Sequence, residues 1–268
     1  MNYKDFIENV LQGASKIALE KFGEVTGTTK GDDNNQVLTE ADLAIGKFIV
    51  EKIQNQFPDY NIIDEEAGII DNNSEYTFIV DPIDGTSNFA NSVPAYGIML
   101  GLLRDNISIA GGFVIPPSKE MYIAEKGQGT YLNGQRVLVT KEQKLLNCLV
   151  AYGVDGRQGN PEFTRKEARL VGEIILKIRN LRTSGSEPID VGYVASGRYG
   201  ARLNQNCKIW DVVAPQIITE EAGGIYTDFW GEPIDYTNPL SKTELNFTCC
   251  AAAPVLHKQL QEIIHSNK

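Results

Sequence analysis

The sequence predicts a fold of the α+β / α/β class, built from two unlike halves. In the first half, two segments with helical periodicity precede a series of strands joined by tight turns, which is typical of an antiparallel sheet. From about residue 145 onward, strand and helix patterns alternate, which favours α/β organisation. We therefore expect halves at residues 1–140 and 141–268 that pack as one compact unit, although no linker-like stretch separates them.

Two helices open the first half. Apolar residues recur at helical spacing from Phe6 for about twenty residues, and again over residues 40–57. Thr39 is the expected N-cap of the second helix, with Asp42 at the third position of a capping box. Residues 23–36 are polar and rich in Gly, Asp and Asn, which predicts a loop or a loose hairpin between the two helices.

The remaining elements follow from alternation and turn signals. Asp105-Asn106 and Asn133-Gly134 are expected to close hairpins. In the first half the predicted strands are 61–63, 76–80, 96–104, 107–114, 121–125 and 131–139. In the second half the predicted strands are 149–152, 179–182, 199–203, 225–229 and 246–253, and the predicted helices are 162–178, 187–196, 211–222 and 255–265.

Composition excludes several classes of function. The chain has 268 residues, a net charge of −10 and no run of basic residues, so duplex nucleic acid and anionic membrane are unlikely partners. No stretch reaches the roughly 18–20 apolar residues of a membrane span, and the N-terminus lacks the pattern of a signal peptide. The four cysteines show no CxxC spacing, which indicates a reduced, cytoplasmic protein.

The two histidines, His257 and His265, both lie near the C-terminus. This position argues against a histidine-ligated zinc site and against a Ser-His-Asp triad. Any chemistry is therefore expected to depend on carboxylates.

The strongest chemical signal is the segment Asp81-Pro82-Ile83-Asp84-Gly85-Thr86, directly after a predicted strand. Two carboxylates and the Ile83 carbonyl at a strand end would suit a hard cation. Gly85 allows a ligand to approach the backbone, and a helix opening at Thr86 would offer N–H groups to a phosphate. Asp-Pro and Asp-Gly are also ordinary turn dipeptides, so the segment alone leaves both interpretations open.

Two further acidic segments are ambiguous by themselves. Glu65, in Asp64-Glu65-Glu66, follows a short predicted strand, where acids are usually solvated. Asp211, in Ile209-Trp210-Asp211, is placed as the N-cap of a helix.

Together, these segments resemble the inositol monophosphatase family. The likeness rests on Glu65-Glu66, on the DPIDGTSNF segment beginning at Asp81, and on Trp210-Asp211 followed by EAGG ending at Gly224. The three motifs occur in the family's order, and the likeness covers essentially the whole chain. The resemblance implies a layered α-β-α-β-α sandwich whose first half binds metal and phosphate and whose second half recognises substrate.

The resemblance also implies an activity and a site. The activity would be Mg²⁺-dependent hydrolysis of a small phosphate monoester, such as an inositol monophosphate, by in-line attack of metal-activated water. Several Mg²⁺ ions would be held by Glu65, Asp81, the Ile83 carbonyl, Asp84 and Asp211. The catalytic residues would be Glu65, Thr86 and Asp42. Phosphate and substrate would be bound by Asp84, Gly85, Thr86, Ser186, Glu187 and Asn204. The resemblance further implies a homodimer and sensitivity to Li⁺.

Some positions depart from the family pattern. Glu187 stands where a small residue is common, and Asn204 stands where inositol-specific enzymes carry a glutamate. Arg202 and Lys208 are candidates for meeting a second anionic group of the substrate, and Lys30 is expected near the site.

Alternatives of three kinds remain open at this point. Within the superfamily, the substrate could be 3′-phosphoadenosine 5′-phosphate, fructose 1,6-bisphosphate or histidinol phosphate. The DxDGT motif of haloacid-dehalogenase-like phosphatases is similar, but here two residues rather than one separate Asp81 from Asp84. The third alternative is a non-catalytic module that binds metal or phosphate.

Overall fold

We describe the fold from a computed structural model, in which residues 2–24, 27–29, 37–157 and 159–267 are described. Most of the loop expected at residues 23–36, including Lys30, lies outside those residues, so its expected position near the site is not described. The described part contains seven α-helices: α1 (Tyr3–Lys21), α2 (Glu40–Gln56), α3 (Thr86–Ala90), α4 (Pro161–Ile175), α5 (Glu187–Ala195), α6 (Val213–Glu221) and α7 (Pro254–Ser266).

Fifteen strands form three sheets within the described residues. They are β1 (Thr28–Thr29), β2 (Val37–Leu38), β3 (Asn61–Asp64), β4 (Gly68–Ile70), β5 (Tyr76–Asp84), β6 (Gly97–Arg104), β7 (Ile107–Ile115), β8 (Glu120–Glu125), β9 (Gly129–Leu132), β10 (Gln135–Val137), β11 (Leu149–Gly153), β12 (Asn180–Arg182), β13 (Ala201–Cys207), β14 (Ile225–Thr227) and β15 (Phe247–Ala252). The eight-stranded sheet has the order β10-β9-β8-β7-β6-β5-β3-β4, the five-stranded sheet β12-β11-β13-β15-β14, and β1 pairs with β2.

The molecule is a five-layer α-β-α-β-α sandwich, as expected. Helices α1 and α2 bury their apolar faces against one side of the eight-stranded sheet. Helices α5 and α6 cover its other side, and α6 also contacts the five-stranded sheet. Helices α4 and α7 close the far face of the five-stranded sheet. The middle layer therefore comes from the C-terminal half of the chain and packs against the sheet of the N-terminal half.

Both sheets are mixed. Most neighbours in the eight-stranded sheet are antiparallel, but β3 and β5 run parallel. In the five-stranded sheet β11 is parallel to both β12 and β13, whereas β13 and β15 are antiparallel. Because the parallel strands β3 and β5 end at the same edge, the acidic segments that follow them are brought together.

Four elements differ from the sequence expectation. The segment given as one strand over 131–139 forms β9 and β10, which pair across the predicted Asn133-Gly134 turn. Strand β4 was not predicted, because two of its three residues are exposed and no alternation marks it. Strand β13 continues four residues beyond the predicted end, through a polar segment that is largely buried. The helix expected at residue 211 begins at Val213, after a separate 3₁₀ turn over Ile209–Asp211. No helix among the described residues is long and apolar enough to cross a membrane.

Candidate active site

Asp81 and Asp84 lie at the carboxyl end of β5, where the strand turns away from its neighbour. Pairing between β5 and β6 is regular up to Asp81 and then shifts register before Asp84. A β-bulge of this kind redirects side chains. It allows both aspartates to face one cleft although an even strand would place Asp81 and Asp84 on opposite faces.

The turn after Asp84 depends on a glycine. Gly85 has φ +85°, in the left-handed region, and begins the short helix α3. A β-carbon at this position would lie 2.9 Å from the Ala95 carbonyl oxygen and 3.0 Å from that of Gly185. Only glycine combines this dihedral angle with such close backbone approach.

Asp211 reaches the same cleft from the C-terminal half. It closes the 3₁₀ turn Ile209–Asp211, and its Oδ2 accepts a hydrogen bond of 2.6 Å from the backbone N–H of Lys208. The expectation that Asp211 caps α6 is wrong, because that helix starts two residues later with no side-chain cap. This arrangement anchors the carboxylate at the cleft rather than at a helix end.

Asp81, Asp84 and Asp211 form a compact carboxylate cluster. One oxygen from each lies within 4.8 Å of the others. Burial raises the pKa of Asp84 to about 7. Burial, together with the neighbouring charges of Glu65 and Asp84, raises the pKa of Asp81 well above its usual range. Burial and the charge of Asp84 do the same to the pKa of Asp211. Such crowding of like charges favours either protonation or a cation.

Glu65 lines the cleft beside this cluster. Its backbone N–H donates to the Val80 carbonyl (3.2 Å), so the residue after β3 stays attached to β5. Glu65 is half-buried, and its charge is close enough to help raise the pKa of the buried Asp81.

Asp42 approaches from α2. Its Oδ2 accepts hydrogen bonds from the Thr39 hydroxyl (2.6 Å) and the Thr39 N–H (2.8 Å), which is the expected capping box. Its other oxygen lies 3.4 Å from the Thr86 hydroxyl, which also donates to the Ile83 carbonyl at 2.8 Å. Burial raises the pKa of Asp42 to about 6.

Residues of the C-terminal half form the opposite wall. The cleft has a volume of about 440 Å³, and its lining includes Gly85, Thr86, Ser186, Glu187 and Asn204. The Glu187 N–H donates to Asp84 Oδ1 at 2.7 Å, so the first residue of α5 orients a carboxylate of β5. Every site residue expected from the sequence except Asp42 therefore lines this cleft, and Asp42 reaches it through Thr86.

Asn88 has a role that the sequence did not indicate. Its side-chain amide donates to the Ala95 carbonyl (2.7 Å) and to the Ser184 carbonyl (2.9 Å). It thus joins the turn at Gly85 to the loop preceding α5. The only sequence signal was its place inside the DPIDGTSNF segment, which says nothing of its partners.

Arg202 is not available to a substrate, contrary to the sequence hypothesis. It is 3% exposed and forms hydrogen bonds to Glu187 Oε2 through Nη2 (2.6 Å) and Nε (3.0 Å). Asp190 Oδ2 lies 3.5 Å from the same guanidinium. Lys208, the other cation lining the cleft among described residues, directs its Nζ to the Glu244 carbonyl at 3.0 Å.

The donor set fits a hard divalent cation. It consists of carboxylates and a carbonyl, which are the ligands that Mg²⁺ prefers. Asp81 Oδ1 is buried and has no hydrogen-bond partner among the described residues. A buried carboxylate oxygen without a partner is costly, and a cation would satisfy it.

Comparison with known proteins gives one consistent family. The profile of the Inositol monophosphatase family matches residues 3–267. A Thermotoga maritima protein named fructose-1,6-bisphosphatase/inositol-1-monophosphatase is 31% identical, with 87% of each chain covered. Nus factor SuhB of Haemophilus influenzae is 31% identical, with 78% of each chain covered. The solved Thermotoga maritima IMPase superimposes with a TM-score of 0.86 at 25% identity, covering 100% of this chain and 98% of that one.

The match to the family spans both halves of the chain. It therefore includes the two acidic segments of the N-terminal half and Asp211 of the C-terminal half. With the five-layer fold and the carboxylate cluster in place, the conclusion is that the chain belongs to the inositol monophosphatase family.

Proposed function

We propose that this protein is a Mg²⁺-dependent phosphatase that hydrolyses a small phosphate monoester of the inositol monophosphate type. The observation that carries the proposal is the cluster of Asp81, Asp84 and Asp211, whose oxygens lie within 4.8 Å of one another in an open cleft. Uncatalysed hydrolysis of phosphate monoesters is among the slowest reactions known. Concentrated carboxylates that hold cations are one established solution to that barrier.

Each residue of the cluster has a defined part. Glu65, Asp81, Asp84, Asp211 and the Ile83 carbonyl would hold more than one Mg²⁺. When bound, Mg²⁺ neutralises phosphoryl oxygens, lowers the pKa of water and stabilises the departing alkoxide. Glu65 also takes part in orienting the attacking water, as do Thr86 and Asp42.

The water-positioning step follows from the contacts of Thr86. The single hydrogen of the Thr86 hydroxyl can be donated to the Ile83 carbonyl (2.8 Å) or, above pH 6, to the ionised Asp42 carboxylate (3.4 Å). In either case the lone pairs of that hydroxyl are left to accept a hydrogen bond from water and to fix its direction of approach. The N–H groups of Gly85 and Thr86 bind phosphoryl oxygens, and the in-line attack leads directly to phosphate without a phosphoenzyme.

Ser186, Glu187 and Asn204 form the wall that faces the rest of the substrate. Asn204 offers an amide that can hydrogen-bond a hydroxyl. Because Arg202 is engaged by Glu187 and Asp190, a second phosphate would meet few cations here. This favours a substrate with a single phosphate, such as an inositol monophosphate or histidinol phosphate, over fructose 1,6-bisphosphate or 3′-phosphoadenosine 5′-phosphate. The proposal further includes a cytoplasmic homodimer that Li⁺ inhibits by competing at one Mg²⁺ position.

The decisive experiment measures phosphate release with and without Mg²⁺. The panel contains inositol 1-phosphate, fructose 1,6-bisphosphate, 3′-phosphoadenosine 5′-phosphate and histidinol phosphate. We expect Mg²⁺-dependent release from the wild type, loss of at least about 100-fold in Asp84→Asn, and unchanged release in Asp59→Asn, which alters an exposed aspartate.

The same panel tests the main alternative, a non-catalytic module that binds metal or phosphate. Folded wild-type protein that binds Mg²⁺ but releases no phosphate from any compound would contradict the phosphatase and support that module. The name of the SuhB relative makes this comparison worthwhile, since it denotes a Nus factor. Trapping of an aspartyl-phosphate would contradict the proposed direct attack by water.

A further inference from the structure

A second group of metal-ligating side chains lies beside the carboxylate cluster. Glu187, Cys207 and Cys249 each present one ligand atom, and these three atoms lie within 4.8 Å of one another. All three residues are buried. Cys249 Sγ is 3.6 Å from Glu187 Oε1, and both cysteines are reduced thiols. Neither thiol has a part in the proposed phosphatase chemistry.

The spacing corresponds to that around a tetrahedral ion. With Zn–S bonds of about 2.3 Å and Zn–O bonds of about 2.0–2.2 Å, neighbouring ligand atoms lie about 3.4–3.8 Å apart. The separation of Cys249 Sγ and Glu187 Oε1 falls in that range. Two thiolates and one carboxylate form a softer donor set than the aspartate cluster, so this group favours a thiophilic ion over Mg²⁺.

Tyr226 provides an independent observation at the same place. It is 4% exposed, and its hydroxyl has no hydrogen-bond partner among the described residues. It packs in the same buried group as Cys207 and Cys249. The nearby Cys249 and Glu187 add to the burial that raises the pKa of Tyr226 well above its usual range. A buried phenol without a hydrogen-bond partner, packed in the same group as the two thiols, is a candidate fourth ligand.

A divalent ion would offset much of the negative charge around the group. Two thiolates and the Glu187 carboxylate contribute three negative charges, and the buried Asp190 carboxylate lies nearby, while a divalent ion and the Arg202 guanidinium contribute three positive charges. Arg202 binds Glu187 through Oε2 and leaves Oε1 facing Cys249. A buried metal site needs this kind of outer-shell support and compensation. Cys207 lines the cleft, which gives an ion a route inward.

We propose that Glu187, Cys207 and Cys249, with Tyr226 adjacent, form a second metal site that binds Zn²⁺ or another thiophilic divalent ion. Glu187 belongs to both sites, because its backbone N–H holds Asp84 and its carboxylate faces the thiols. An ion at the thiol site therefore changes the position of Asp84 and lowers Mg²⁺-dependent activity.

Cobalt is the probe for the site itself. The full-length reduced protein is titrated with Co²⁺ in excess Mg²⁺ and a non-thiol reductant. We expect one equivalent to produce a thiolate-to-cobalt charge-transfer band with tetrahedral d–d bands, and Zn²⁺ to remove both. In Cys207→Ser and Cys249→Ser, we expect Co²⁺ affinity to fall by more than about 100-fold, since even outer-shell changes cost about 10–100-fold.

Two variants serve as controls for this titration. Cys250→Ser changes the adjacent cysteine, whose side chain packs with a different buried group, and should retain the bands. Asp84→Asn removes a ligand of the carboxylate cluster and should retain them as well. Absence of the charge-transfer band in the wild type overturns the proposal. The proposal is also overturned if the charge-transfer band persists in Cys249→Ser or is lost in Asp84→Asn.

Phosphate release tests the coupling between the sites. This second readout rests on the proposed phosphatase activity, whereas the cobalt absorption bands do not. A failure of the phosphatase proposal can therefore be distinguished from a failure of the metal-site proposal. In excess Mg²⁺, one equivalent of Zn²⁺ should lower wild-type activity at least about 10-fold and leave Cys249→Ser little changed. Equal inhibition of the wild type and Cys249→Ser would contradict the coupling between the thiol site and the carboxylate cluster. It would mean that the inhibitory zinc binds at the aspartates. Thermal melts of every variant establish that it is folded.

Discussion

Gly85 shows how much of the site depends on one backbone conformation. Its left-handed dihedral angle turns the chain from β5 into α3, and the carbonyls of Ala95 and Gly185 leave no space for a side chain. The sequence indicated the need for glycine here, because a ligand was expected to approach the backbone. It did not indicate that Gly185, from the other half of the chain, forms part of the restriction.

The prediction at this scale compares two glycines. Gly127 has a similar φ of +79°, but no described atom lies within 4 Å of a β-carbon built there. We expect Gly127→Ala to lower the free energy of unfolding by about 1–2 kcal/mol, which is the cost of the left-handed conformation. Gly85→Ala should cost about 1–3 kcal/mol more, because of overpacking. Urea denaturation measures both values.

Activity separates the two variants further. Phosphate release should fall strongly in Gly85→Ala, whose turn positions Asp84 and Thr86, and should stay near the wild-type rate in Gly127→Ala. Equal destabilisation of the two variants would show that the close contacts at Gly85 relax without cost.

At the scale of elements, α5 and β13 are held together by a buried ion-pair network. Arg202 of β13 binds Glu187 at the start of α5, and Asp190 lies one helical turn further along. Burial raises the pKa of Asp190 to about 6. The network fixes the helix whose first N–H orients Asp84.

We expect Arg202→Met to be strongly destabilising. The variant leaves buried carboxylates without a counter-charge, which costs about 3–5 kcal/mol in the free energy of unfolding. Arg165→Met is the matched control, since Arg165 pairs with Glu162 on the surface of α4 and should lose at most about 1 kcal/mol. Chemical denaturation of both proteins gives the comparison. A small loss in Arg202→Met would mean that the network contributes little to holding α5.

These elements also show how far sequence reasoning extends. The helices and most strands follow from periodicity, and the hairpin at Asp105-Asn106 follows from its turn residues. Strand β4 was not predicted because its mostly exposed residues show no alternation of apolar and polar side chains. The ion pair of Arg202 with Glu187 was not predicted either. The two residues lie fifteen positions apart in the sequence, and neither their burial nor their pairing leaves a local sequence pattern.

At the scale of the whole molecule, the site is assembled from both halves. The first half supplies Asp81 and Asp84, and the second supplies Asp211. The motifs allowed the acidic residues to be grouped from the sequence, through the family resemblance. The order of the layers, with α5 and α6 of the second half covering the sheet of the first, depends on packing between distant segments and was expected only from that resemblance.

The buried aspartates predict how stability depends on pH. In the metal-free protein the pKa of Asp84 is raised to about 7, and those of Asp81 and Asp211 are also raised. The folded state therefore binds more protons than the unfolded state, and the contribution of these groups to stability falls as pH rises from about 4 to 7. Mg²⁺ bound to the deprotonated carboxylates, as proposed, would oppose this loss.

We expect the increase in Tm caused by Mg²⁺ to be small at pH 5 and to grow towards pH 8. Differential scanning calorimetry with and without Mg²⁺ across this range measures it. In Asp84→Asn the increase should be smaller and should depend less on pH. A Mg²⁺-induced increase in Tm that is the same at pH 5 and pH 8 would contradict the assignment of the cation to these carboxylates.

The middle layer has a consequence for the exchange of backbone amides with solvent. Six of the nine residues of α6 are buried, because the helix has a sheet on either side. Its amide protons can meet deuterium only when the two sheets separate, and that separation approaches complete unfolding. Helices α5 and α6, which share the middle layer, should thus retain their protons longest, whereas α4, an outer-layer helix with a solvent-facing side, should lose them through smaller openings. The rate of amide exchange in this middle layer would therefore measure how often the entire sandwich opens.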